Sequence, residues 1–236
     1  MQAAIASGGG DGCNPNRSNN YLHYYFDGAD SQNVGGTPGG VYASIRNYSP
    51  FVAGPNQGAP SNDDVSEWVM LDVQPASDDK YVQIGWIERP GGLRNTFVEW
   101  SFGPGKFYDD YYSPYAINST QSYAVYFQPT ENLMYGVAVN GNLVQRVADT
   151  DRPNDAQIYA EIHTQASQVP GGTADPSGKV AQVSAAHVWP TAGSSKGWQN
   201  FDGVTGAAGA SWLGIAPGAG TSGVNSWRTW DKACKT

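Results

Sequence analysis

Four short runs of the chain each set a polar side chain capable of chemistry among aromatic residues. Ser66 to Val73 carries Trp68 and Asp72, and Tyr81 to Glu88 carries Tyr81 and Gln83. Thr96 to Phe102 carries Glu99 and Trp100, and Gln157 to His163 carries Tyr159, Glu161 and His163. Carboxylates act as general acids or bases wherever they reach a reacting proton. Two of them about 5 Å or about 6.5–9.5 Å apart hydrolyse glycosides, which makes Glu99 with Glu161, or Asp72 with Glu161, a candidate pair for that reaction. His163 is a candidate second base and equally a solvated histidine on a polar face.

Other chemistries lack their residues. No Gly-x-Ser-x-Gly elbow is present for acyl transfer. The three histidines, His23, His163 and His187, form no metal-spaced pair, so neither a metal nor another cofactor is expected. Cys13 and Cys234 lie near opposite ends of the chain, and chain ends often meet in a domain. A disulfide between them is expected, with two free thiols as the other reading. Closing so long a loop stabilises a fold by roughly 4–5 kcal/mol in the chain-entropy model.

The elements that must position these side chains are strands. Besides the four runs above, strand-like segments recur at Tyr21 to Phe26, Gly40 to Ile45, Ser122 to Gln128, Leu133 to Val139, Leu143 to Val147 and Lys179 to Trp189. Asn140-Gly141 stands between two apolar segments, and both residues accept the positive φ of a tight hairpin turn. Short strands at regular spacing, with no helical periodicity between them, predict an all-β antiparallel two-sheet β-sandwich of concanavalin-like or jelly-roll type. Residues 1–20, polar and glycine-rich, read as a flexible arm. Residues 21–236 read as one domain, with a Gly/Trp-rich closing segment over 190–236. Trp198, Trp212, Trp227 and Trp230 in that segment either plug the core or line a carbohydrate site.

Side chains alternate between the faces of a strand, so the runs can be sorted. Val69, Leu71 and Val73 separate from Trp68, Met70 and Asp72; Val82, Ile84 and Trp86 separate from Tyr81, Gln83 and Gly85. Ile158, Ala160 and Ile162 separate from Gln157, Tyr159, Glu161 and His163. One face is core. The other is what any half-exposed antiparallel sheet presents, and Gln83 and Glu161 can simply be solvated there. Its aromatic residues, Trp100 counted among them, make it look more like the lining of a groove.

Composition sets outer limits. Thirty Gly and fifteen Pro fit many tight turns, and a formal charge of −8 repels phosphate backbones, so nucleic acid is not an expected partner. No apolar run is long enough for a membrane helix. Met1 to Gly12 lacks the apolar run of a signal peptide and reads as the start of a mature chain with an added Met. Few lysines and the cysteine placement point to a secreted protein, and a monomer is expected.

Ser66-Glu67-Trp68-Val69-Met70-Leu71-Asp72, followed by Tyr81-Val82-Gln83-Ile84-Gly85-Trp86, resembles the paired strands of the glutamic peptidases called eqolisins. There a Trp-Val-x-Ile-Asp strand precedes a Gln-x-Gly strand. Phe97-Val98-Glu99-Trp100 resembles the aromatic Glu-Trp strand of that family, and Tyr159-Ala160-Glu161-Ile162 its Ala-Glu-Trp strand. Neprosin-type peptidases are similar over the segments at Gln83 and Glu161, but they carry Glu where this chain has Gln83. The chain departs from eqolisins at Ile162, where they have Trp, and in the segment His163 to Gln168, where they have acidic residues.

The eqolisin resemblance implies peptide-bond hydrolysis by a Gln/Glu dyad without metal or covalent intermediate. Glu161 would be the general base and Gln83 the donor to the oxyanion. Trp68 and Trp100 would wall the cleft, with Asp72, Tyr159 and His163 also against the substrate. A carboxylate on an exposed face titrates near about 4.3 unless aromatic neighbours desolvate it, and base action in that range suits acid. The polypeptide substrate has rivals: a non-catalytic module that binds polysaccharide, a polysaccharide-cleaving enzyme on the same fold, and a scaffold with no site.

Overall fold

The computed structural model describes residues 24–30, 38–47, 52, 64–73, 80–129, 134–148, 151–163, 181–189, 198–201, 204–205, 213–217 and 227–231. Cys13, Cys234 and the arm over 1–20 lie outside the described residues, as do the expectations attached to them.

All described strands pair antiparallel, and they form two sheets. One runs from edge to edge as β13 (Val204–Thr205), β1 (Tyr24–Asp30), β10 (Asp155–His163), β3 (Asp64–Asp72), β4 (Lys80–Arg89), β5 (Leu93–Phe102) and β6 (Phe107–Tyr111). The other runs as β14 (Leu213–Pro217), β15 (Trp227–Asp231), β11 (Ala181–Trp189), β2 (Gly40–Arg46), β7 (Thr120–Gln128), β8 (Met134–Val139) and β9 (Asn142–Ala148), with β12 (Gln199–Asn200) paired to β11. No helix occurs among the described residues. The β8–β9 hairpin turns at Asn140 and Gly141, both at positive φ, as the sequence leads one to expect.

Two strands before the closing segment differ most from expectation. β1 runs on past the expected end at Phe26, through Asp27 and Gly28 to Asp30, because it pairs residue for residue with β10 from Tyr24 opposite His163 to Asp30 opposite Gln157. β6 is an unexpected edge strand. All five of its residues are exposed, so it lacks the apolar alternation that marks a half-buried strand.

The core lies between the sheets. Val69, Leu71, Val82, Ile84, Trp86 and Ile158 from the seven-stranded sheet pack with Val41, Ile45, Tyr123, Val125, Tyr135 and Val137 from the other. Each aliphatic side chain fully buried this way stabilises the fold by about 1.5–3 kcal/mol. The sorting by alternation holds for these strands.

Polar groups also enter this core and are matched there. Glu67, with no exposed surface, accepts a hydrogen bond from Trp86 Nε1 at 3.0 Å. Tyr115 donates to Glu88 Oε2 at 3.2 Å, and the Tyr123 hydroxyl lies 3.1 Å from Asn47 Oδ1. Burial raises the pKa of both phenols well above 10.0, with Glu88 adding to the effect at Tyr115 and Glu67 at Tyr123.

Candidate active site

Residues directly opposed in an antiparallel pair share a face. The register therefore sorts the outer face of the seven-stranded sheet, the one turned away from the second sheet, into rows. Asp155, Asp72, Tyr81 and Ser101 make one row; Gln157, Met70, Gln83, Glu99 and Asp109 make the next. Tyr159, Trp68, Gly85, Phe97 and Tyr111 follow, and then Glu161, Ser66, Ile87 and Asn95.

Glu161 is held from β3. Trp68 Nε1 donates to its Oε2 at 2.6 Å, and Ser66 Oγ donates to the same oxygen at 3.4 Å. Tyr159 meets the Trp68 ring edge-on, with centroids 5.2 Å apart. These two rings join Met70, Ile87 and Phe97 in a second apolar cluster, with Tyr81 packed against it. Gly85 is required beside Trp68: a Cβ there would run into the Glu67 carbonyl oxygen and come within 2.7 Å of Trp68 Cα.

Gln83 is held from β5. Its Nε2 donates to Glu99 Oε1 at 3.2 Å, and the Tyr81 hydroxyl donates to that same oxygen. At the far end of the face Asp72 stands opposite Asp155. The Asp155 carboxylate accepts from the Ala156 backbone N–H and from Gln157 Nε2, each at 2.8 Å.

Gln83, Glu161, Trp68, Tyr159 and Asp72 thus share one face, which is not the half-exposed surface the alternation suggests. Gln83 and Glu161 are each only 7% exposed. A solvated sheet-face carboxylate or amide is therefore not what these residues are. Gln83 and Glu161 stand two strands and two rows apart, an offset of about 13 Å along the strands and about 10 Å across them. The amide turns to Glu99 and the carboxylate to Trp68 and Ser66, so the two do not touch.

Trp100 is elsewhere. It pairs with Val82 on the core side, stacks on Tyr108 with centroids 5.6 Å apart, and packs against the inter-sheet core. It does not wall the face that holds Gln83. His163 lies opposite Asp64, in the row beyond Glu161, and its side chain is outside the described residues. Asp72 and Glu161 stand three rows apart, about 20 Å along the strands, and Glu99 and Glu161 are three strands and two rows apart. Neither pair has glycosidase spacing by register.

Sequence reasoning missed the role of Glu99 beside Gln83, the buried Asp155, and Glu67. For Glu67 a signal was available, since it alternates with Val69 and Leu71 and so belongs to the core face, where a carboxylate must find donors. Among the described residues no group of three or more His, Cys, Asp or Glu is placed to hold a metal ion.

The chain shares its fold with solved glutamic peptidases. Scytalido-glutamic peptidase bound to a peptide-based transition state analogue aligns over 89% of this chain and 100% of its own, with a TM-score of 0.58 and 13% identity. SCP-B, a member of the eqolisin family of peptidases solved with the tripeptide Ala-Ile-His, aligns over 89% and 100% with a TM-score of 0.56 and 13% identity. No family model matches the sequence, and no curated protein matches it.

Proposed function

We propose that the chain is an acid-acting endopeptidase of the glutamic type, with Glu161 as general base and Gln83 as oxyanion donor. The observation that carries this reading is the Glu161 carboxylate. It is held at 2.6 Å by the Trp68 indole on the outer face of a sandwich shared with two glutamic peptidases.

In the reaction Glu161 takes a proton from water as the water oxygen bonds to the scissile carbonyl carbon. The carbonyl oxygen becomes an oxyanion, to which a Gln83 N–H donates. When the C–N bond breaks, Glu161 returns its proton to the leaving amine, so water is consumed and no covalent intermediate forms. Gly85, which adds no side chain, lies in the row between the two groups, and the reaction requires both side chains to turn toward a scissile carbonyl held there.

Action in acid fits a secreted enzyme, and in that setting Cys13 and Cys234 would be joined. Intact mass before and after reduction tests the bond; two titratable thiols without reductant would refute it.

The function is tested by digesting a denatured protein from acid to neutral pH with wild type, Glu161→Gln and Gln83→Ala. Cleavage by wild type in acid, lost in both folded variants, is expected. Undiminished cleavage by either variant removes that residue from the mechanism. Glycan binding without proteolysis anywhere in the range would transfer the face to a carbohydrate-binding role.

A further inference from the structure

The amide of Gln83 has two ends of nearly equal size and opposite character. One carries two donors, the other is an acceptor, and only hydrogen-bond partners decide which end points where. An oxyanion donor must present N–H. Presenting the carbonyl oxygen instead would repel the developing charge.

Glu99 stands directly across from Gln83, on β5 and on the same face. Its Oε1 receives Gln83 Nε2 at 3.2 Å and also receives the hydroxyl of Tyr81, which lies two residues before Gln83 on the same face of β4. An ionised carboxylate only accepts, so it can meet the nitrogen end of the amide and not the oxygen end. With one N–H given to Glu99, the amide plane is fixed and the second N–H is left for another acceptor. The Tyr81 hydroxyl, bonded to the same oxygen, fixes the carboxylate in turn.

We infer that Glu99, braced by Tyr81, is the positioning residue that sets the orientation of the Gln83 amide for oxyanion stabilisation. This rests on the role proposed for Gln83 above. Glu99 touches neither substrate nor water in this scheme and acts only through Gln83. Removing an oxyanion donor outright costs about 10²–10³ in kcat, and releasing one from its orientation costs part of that. Glu99→Ala is accordingly expected to lower kcat by about 10-fold or more with little change in KM. Tyr81→Phe is expected to have a smaller effect of the same kind. Glu99→Gln keeps an acceptor oxygen for Gln83 Nε2 and is expected to recover most of the loss.

The decisive experiment is a double-mutant cycle on peptide cleavage in acid, using the full chain with Gln83→Ala, Glu99→Ala and the double variant, and with thermal unfolding to confirm the fold. The expected result is that Glu99→Ala lowers kcat in wild type and has no effect once Gln83 is alanine. Equal losses in both backgrounds would show that Glu99 acts independently, which overturns the inference. Wild-type kcat in Glu99→Ala, with Gln83→Ala inactive, would also overturn it while leaving the proposed function standing. Full activity in Gln83→Ala would refute the function itself. If Glu99→Ala does not fold, the same cycle is run with Glu99→Gln against Glu99→Leu, and equal kcat in those two overturns the inference.

Discussion

The seven-stranded sheet carries the same hydrogen bond on both of its faces. Outside, Trp68 Nε1 donates to Glu161 at 2.6 Å; inside, Trp86 Nε1 donates to Glu67 at 3.0 Å. Glu67 and Trp68 are consecutive residues of β3, so one step along the strand separates the two pairs. Glu67 and Trp86 are both fully buried between the sheets, near Tyr123. Glu161 retains some exposure, and around it stand Ser66, Tyr159 and, two rows off, an amide that donates. An indole and a carboxylate therefore make structure in one setting and, in the proposed mechanism, are offered for chemistry in the other. What differs is access and neighbours, since the bond itself is the same.

Substitutions can break this comparison. The largest expected effect is from Glu161→Gln. Its side chain still accepts from Trp68 but cannot take a proton, so kcat should fall by about 10²–10⁴-fold while the unfolding midpoint changes little. Gln83→Ala should follow, with a loss of about 10²–10³-fold in kcat measured on the same substrate.

Inside the sheet the readout changes from rate to stability. Glu67→Leu strands the buried Trp86 N–H, and denaturant unfolding should show a loss of about 1–3 kcal/mol with activity per folded molecule retained. A Glu67 variant that kept its stability and lost activity would erase the distinction between the two faces.

The smallest effect is alkaline. Tyr115 and Tyr123 are held protonated by burial, so above pH 10 the unfolded chain releases protons that the folded chain keeps. Stability should then fall as pH rises, with no contribution from these groups below that range. Tyr123→Phe should flatten the alkaline slope, as read from unfolding free energy against pH.

Alternation along the strands was enough to put Gln83, Glu161, Trp68, Tyr159 and Asp72 on one side of the sheet. It is a backbone property that needs no knowledge of partners. It failed at Trp100 for a definite reason. Thr96 to Phe102 carries aromatic residues on both faces, and only the pairing of Trp100 with Val82 shows which face is core. Pairing across strands is also what brings Glu99 to Gln83 and Asp155 to Asp72, contacts between residues 16 and 83 positions apart in sequence. The burial of the outer face was illegible for the same kind of reason, since a polar alternating strand looks alike whether solvent or protein covers it. The edge strand β6 escaped because an exposed edge has no apolar periodicity to show.

The most direct test sets one face against the other: kcat/KM for acid cleavage of a denatured protein, measured for Glu161→Gln and Glu67→Gln at matched concentrations of folded protein. The outer-face variant should lose cleavage by at least about 10²-fold while the core variant stays near wild type. Equal activity in the two variants, or full activity in Glu161→Gln, would contradict the assignment of catalysis to the outer face.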